Sequence, residues 1–384
     1  MSTNNPFTEI YRQLNQHPPD PNEPLPTLHK PGPIIAITAV FHILSWLAVA
    51  FRLWVRRVGR EYGFDDVFVV FAAAFNLASL IGFYGGLSAG MGKHLLLITD
   101  LDVDAVFKHM YLQNAAYHTT SFFIKLSLLC QYLRMFQAGK LRMFTIFLTA
   151  VVTLWGAAFC FMTWFPCFPV DGFWNRDRDP PAKCYAFGWA DLKGAMVSFL
   201  AFSASNMVLD VIIFFLPLFK YLKKGLSRRE YMAQTALFLL ASLVIIFASL
   251  RFSTVAKRDA SNVETMDFTW WSPSMIILSC LEVDFAIMAC SMPIFWPAFV
   301  SHLQQTFGIF VTQEVHVTTH QRLEDNNYEM EQRSVKSMNS QEGLTHKGSY
   351  STMAKTNYND PFVVDHVTGK VPVVTEVATN GKRR

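Results

Sequence analysis

Four ionisable residues stand inside long apolar runs: Lys125, Asp210, Glu282 and Asp284. A charged side chain in hydrocarbon is costly, so each demands a partner or a task. Their neighbours are spaced for helices. Asn114, His118, Ser121 and Lys125 follow a 4, 3, 4 spacing that lines one helix face. Asn206 and Asp210, with Ser203, do the same in a later run. Ser279 and Glu282 share a face of the last run, whereas Asp284 points roughly 160° away from Glu282 and cannot share its partner. At about 1.5 Å per residue, Lys125 lies about 13 Å from Arg134 and Asp210 about 15 Å from Lys220, so the two sit at similar depth. The pattern predicts that Lys125 pairs with Asp210 or Glu282 across a polar, partly hydrated cavity. Either this is a ligand pocket or switchable ion pair, or it is a structural salt bridge holding three helices in register.

Other chemistry is sparse. There is no CxxC pair, His/Cys cluster or HExxH run, so no metal site is expected. No nucleophile–base pair accompanies Lys125 and the acids, so no enzymatic activity and no cofactor are expected. Of the six cysteines, Cys130, Cys160, Cys280 and Cys290 fall in apolar runs and read as small core residues. Cys167 and Cys184 flank one connection and suit a disulfide, with two unpaired thiols as the alternative. Closing a loop of that size is worth about 3 kcal/mol. No Asn-x-Ser/Thr acceptor is present.

The elements that must position these residues follow from composition. Of 384 residues, 52% are apolar and only 16% charged, where a soluble domain carries about a quarter charged residues. This excludes an ordinary soluble globule, and a net charge of +4 is too mild to argue for nucleic acid. A crossing helix needs about 20 mostly apolar residues. Seven stretches reach that length: about 33–55, 66–88, 110–132, 142–165, 192–218, 231–254 and 272–299. The sequence therefore predicts an all-α membrane protein, a bundle of seven transmembrane helices in a lipid bilayer. The run 95–98 is too short to cross and is expected to cap the bundle.

Basic residues set the orientation. Connections 55–65, 133–142 and 219–230 hold 11 Lys/Arg in 33 residues, against 7 in 62 for the other three. The denser set is expected in the cytoplasm, which puts the amino terminus outside and the tail inside. An even span number or the reverse orientation is the alternative. Residues 1–32, polar with seven prolines, read as an extracellular segment without the basic and apolar regions of a signal peptide. Residues 301–384 read as a largely disordered cytoplasmic tail.

At the inner face, Asp65 and Asp66 open the second span and Arg134 closes the third. The acids are expected to cap their helix; a latch to Arg56, Arg57 or Arg134 is the alternative. Lys223, Lys224, Arg228 and Arg229 form a basic connection suited to positive-inside anchoring, or to anionic lipid or an acidic partner. Arg251 near an outer end is expected to snorkel or to meet Asp259, Glu264 or Asp267.

An ordered set of motifs carries a resemblance. GFDD precedes span two, GMGKH follows it, and KLSLLCQYLRMF lies in span three. Cys167 and Cys184 surround Trp174, LDVIIFFLP lies in span five, and DFTWWSP leads to the last span with its CSMPIFWP. Over about residues 33–300 the chain resembles the fungal rhodopsin-like-domain integral membrane proteins. That group includes the satratoxin-cluster membrane proteins and is similar to pathogenicity-type receptors. The resemblance implies a receptor-like protein of the plasma membrane or an endomembrane. It would sense an extracellular cue, an unidentified small-molecule or lipid ligand, and signal to a G protein or other cytoplasmic effector. Two departures matter. Residues 1–32 contain no cysteine, unlike relatives with a cysteine-rich extracellular module, and residues 272–299 contain no lysine to hold retinal. The alternative is a carrier or accessory membrane protein of a secondary-metabolite pathway.

Overall fold

The structure is a computed structural model that describes residues 6–16, 18, 20, 30–98, 100–175, 180–221, 228–258, 263–307, 357–359 and 374–376. Helix α1 spans Pro6–Gln16, α2 Pro31–Gly59, α3 Phe64–Ala89, α4 Asp100–Met135 and α5 Lys140–Trp164. They are followed by α6 Leu192–Tyr221, α7 Arg228–Ala256, the short α8 Val263–Met266 and α9 Phe268–Phe307. Each apolar run is a helix, though longer than the hydropathy suggests. Helix α4 starts ten residues before its predicted span, and α9 runs on past residue 301, where the tail was expected to begin. The expected disorder of the rest of the tail lies outside the described residues, apart from a two-stranded antiparallel pairing of Asn357–Asn359 with Val374–Glu376.

Local chemistry explains the ends. Pro31 sits in the first turn of α2, where its missing N–H costs nothing, and Arg56 and Arg57 complement the carbonyl end. Asp66 Oδ2 accepts the Gly63 N–H at 3.0 Å and so closes the first turn of α3. The end of α3 is reversed by Gly90 at φ +116°, a conformation that a side chain would strain.

Helix α9 is the axis. It packs against α2, α3, α4 and α7, and 78% of its apolar window is buried, against 22–44% for the other apolar helices. The broadest contact is α3 on α4. At Gly82 an added Cβ would stand 2.8 Å from the Gln113 backbone nitrogen, so only glycine allows the two backbones to meet there.

The bundle is polar within and greasy without. Ile43, Phe51, Phe71, Phe147, Leu154 and Leu239 are exposed, whereas Arg52, Lys125, Asn206, Arg251, Glu282 and Asp284 are buried. Only a lipid solvent rewards that arrangement, because an apolar belt of this extent would aggregate in water. Six helices among the described residues are long and apolar enough to cross a membrane: α2, α3, α5, α6, α7 and α9.

At the end of the bundle opposite Asp65, strands β1 (Cys167–Phe168) and β2 (Lys183–Cys184) pair antiparallel, and Cys167 and Cys184 are disulfide-bonded. Phe173, Trp189, Phe268 and Trp271 form an apolar cluster beneath them. Residues 95–97 make a short 3-10 turn with Leu95 buried in that cluster. Helix α1, within the segment read only as polar and proline-rich, is amphipathic and buries Ile10 and Leu14 in the same place.

Candidate functional site

Halfway along the bundle, α4, α6, α7 and α9 bring four opposite charges together. Lys125 Nζ on α4 lies 2.6 Å from Asp210 Oδ1 on α6. Arg251 on α7 reaches Glu282 on α9, with Nε 2.9 Å from Oε2 and Nη2 3.4 Å from Oε1. Asn206 bridges the two pairs: its Nδ2 donates to Asp210 Oδ2 at 3.1 Å and to Glu282 Oε1 at 2.8 Å. Its carbonyl oxygen accepts from Ser121 Oγ at 2.7 Å, and Tyr117 OH donates to Glu282 at 3.2 Å. The guanidinium of Arg251 also lies over the Tyr117 and Phe202 rings, 5.4 and 5.7 Å from their centroids. Two cations and two anions balance, and in a low-dielectric interior that balance makes the burial tolerable.

The helical spacing of the sequence explains half of this. Ser121 and Lys125 sit one turn apart on α4, as do Asn206 and Asp210 on α6, so each helix presents one face to the network. Lys125 takes Asp210, not Glu282. Two expectations are corrected. Arg251 does not snorkel or reach towards Asp267; only 4% exposed, it turns inward because Glu282 offers a bidentate partner at its depth. His118 does not join the polar face either. Its Nδ1 bonds the Asn114 carbonyl at 2.7 Å, and its ring packs among Tyr117, Phe187 and Phe202. The Asn114 side chain is half-buried.

A second cluster closes the Asp65 end. Arg52, with no exposed surface, binds Asp65 through Nη2, Asp66 Oδ1 through Nε at 2.8 Å and the Cys290 carbonyl through Nη1 at 2.7 Å. Arg56 Nη2 donates to Asp65 at 3.1 Å, and Ser127 Oγ donates to the Asp65 carbonyl at 2.6 Å. Asp66 thus caps, as expected, but capping alone is corrected: the two acids are latched by Arg52 and Arg56. Arg134 stays at the rim, 4.0 Å from Asp65 and bonded to the Glu61 carbonyl at 3.0 Å. Sequence reasoning missed Arg52 because it reads as the first of the basic residues flanking the span; its position one turn inside the apolar run was the available signal.

Asp284 lies on the far side of α9 from Glu282, as the two-residue offset requires. Its Oδ1 accepts from Asn76 Nδ2 at 2.7 Å and Ser45 Oγ at 2.9 Å, with His42 Nδ1 at 3.3 Å. These polar residues of α2 and α3 were not singled out in the sequence, although His42 and Ser45 stand three apart on one helix face. Between α4, α6, α7 and α9, a cavity of about 40 Å³ is lined by Leu128, Phe214, Phe238 and other largely apolar groups, with Asp210 as its one carboxylate and Tyr132 beside it. It has room for roughly three waters. Lys223 and Lys224 lie outside the described residues, as do the side chains of Arg228 and Arg229. No group of three His, Cys, Asp or Glu suited to a metal occurs among the described residues.

An all-helical chain with a lipid-facing apolar belt and an interior of paired charges is a multi-pass membrane protein. Its family is then plain: the chain belongs to the fungal rhodopsin domain family, whose model matches residues 51–301. It is similar to the Wortmanamides biosynthesis cluster protein C of Talaromyces wortmannii, 25% identical over 262 residues that cover 67% of each chain. No solved structure matches it.

Proposed function

We propose that this chain is a receptor-like protein of the plasma membrane that crosses seven times and reports an extracellular small molecule or lipid to a cytoplasmic effector. The observation that carries the reading is the central network, where four helices are joined by Lys125–Asp210 and Arg251–Glu282 through Asn206. A ligand that competes for one of these charges releases the other, and a network of discrete pairs has discrete alternative packings, as a two-state switch requires.

The seventh crossing is α4. Its 36 residues would extend about 54 Å, more than a bilayer core needs. Its mean hydropathy is low because Gln113, His118, Thr119, Thr120, Ser121, Lys125 and Ser127 are polar, yet all of them are buried against neighbouring helices. With seven crossings, the density of basic residues puts the Asp65 end in the cytoplasm, and the amino terminus and disulfide outside. Retinal does not fit: α9 carries no lysine, and Lys125 gives its ammonium to Asp210 and Ser121. The chain performs no catalysis in this reading.

Nucleotide exchange on a co-expressed fungal Gα subunit tests it, comparing the intact chain with one neutralised at Lys223, Lys224, Arg228 and Arg229. Basal or extract-stimulated exchange that disappears in the variant supports a receptor. The similarity to a biosynthesis-cluster protein favours a second reading, a carrier or accessory protein of a secondary-metabolite pathway. Absence of exchange together with altered metabolite export in a deletion strain selects that reading.

A further inference from the structure

The cavity between α4, α6, α7 and α9 touches the central network at one point. Lys125, Arg251 and Glu282 leave 2%, 5% and 3% of their side-chain surface exposed, whereas Asp210 leaves 13%. Asp210 is also a wall of the cavity, and none of the other three is. A molecule in the cavity therefore meets one charged group, a carboxylate. That carboxylate accepts Lys125 Nζ at Oδ1 and Asn206 Nδ2 at Oδ2, two of its roughly four acceptor positions.

The rest of the lining is apolar apart from Tyr132, and Ala241, Ala286 and Ala289 leave the space open because a methyl is all they fill. The walls run from Ile124 to Tyr132 on α4 and from Leu237 to Ile245 on α7, about 12 Å along each helix axis. Spread over that length, about 40 Å³ makes a slot one carbon chain wide. Three waters there would share one carboxylate and at most one phenol, fewer partners than ordered water takes. At about 30 Å³ apiece, the same three waters match the volume of an alcohol of about two to four carbons.

Charge narrows the occupant further. Lys125 and Arg251 already balance Asp210 and Glu282, so a charged guest would bring an uncompensated charge into a low-dielectric interior. A carboxylate can only accept, so a neutral guest must donate to it. Phe214 on α6 and Phe238, Ala241 and Ile245 on α7 line the cavity and are only half-buried, which makes the seam between these helices the way in from lipid.

We propose that this cavity is a binding site for a short, linear aliphatic alcohol. Its hydroxyl donates to Asp210, and its chain lies along the slot against Leu128, Phe214 and Phe238. The site rests on the cavity, the carboxylate and the charge balance, so it stands whether the chain signals or carries.

The test is photolabelling of the purified full-length chain in detergent with azibutanol, a four-carbon alcohol whose diazirine inserts into adjacent side chains, mapped by mass spectrometry. Labelling at Asp210, Tyr132, Phe238 or Ile245 rises with probe concentration and saturates. Labelling at the exposed Phe147 and Leu154 rises without saturating. n-Butanol displaces the saturable label. n-Butyl chloride, which has no hydroxyl to donate, requires a concentration at least about tenfold higher, because a hydrogen bond to a charged acceptor is lost. Ala241→Leu fills the slot and abolishes the saturable label while the lipid-facing label stays. Labelling confined to lipid-facing side chains overturns the proposal, as does a saturable label unchanged in Ala241→Leu. Should that variant not fold, equal displacement by n-butanol and n-butyl chloride overturns it instead. The readout uses no effector, so its failure is distinct from a failure of nucleotide exchange.

Discussion

The latch at the Asp65 end and the network at the centre balance two cations against two anions by different routes. In the latch, Arg52, Arg56, Asp65 and Asp66 come from 15 consecutive positions, and the α2–α3 turn alone brings them face to face. In the centre, the paired residues are 85 and 31 positions apart and belong to four helices. The first arrangement is assembled as soon as a helical hairpin forms, whereas the second exists only when the whole bundle has closed. A locally made cluster suits a fixed anchor, and one shared among four helices is sensitive to any movement between them.

Breaking the latch has the largest expected effect. Arg52→Met leaves Asp65 and Asp66 buried with only Arg56 between them. It should cost about 3–5 kcal/mol, read as a fall in the detergent unfolding midpoint and in the amount of folded protein in membranes. In the centre, Lys125→Met strands Asp210 and should cost a similar or slightly smaller amount, because Asn206 and the adjoining cavity still solvate the acid. The double variant Lys125→Met with Asp210→Leu should regain most of that loss, since a packed apolar pair replaces an ion pair at little cost. If the comparison is right, the double variant recovers stability but not the nucleotide exchange that the proposed receptor reading expects. Recovery of both would make the pair structural only.

Reducing the Cys167–Cys184 bond, or changing both residues to Ser, should cost about 3 kcal/mol without altering either cluster. Unfolding midpoints with and without a reductant measure it. Arg134→Ala should have the smallest effect, under about 1 kcal/mol, because its guanidinium is 42% exposed and sits at the rim of the latch. A larger loss would mean that the rim, and not Arg52, holds this end.

The hydropathy of the chain was enough to locate the helices, because a span must be apolar for about 20 residues whatever surrounds it. The same rule placed the start of α4 ten residues late, because residues 100–109 are polar enough to read as a connection. The ordered motifs and the Cys167–Cys184 pair were also legible, since the motifs are local and the two cysteines flank one connection. Helical spacing placed Lys125 beside Ser121 and Asp210 beside Asn206, because a 3.6-residue period fixes which side chains share a face. Nothing in that period states which faces meet. That Lys125 would take Asp210, that Arg251 would turn inward to Glu282, and that Asp284 would meet His42, Ser45 and Asn76 were decided by how the helices rotate and dock. The docking energy depends on residues far apart in the chain, and no local pattern carries it.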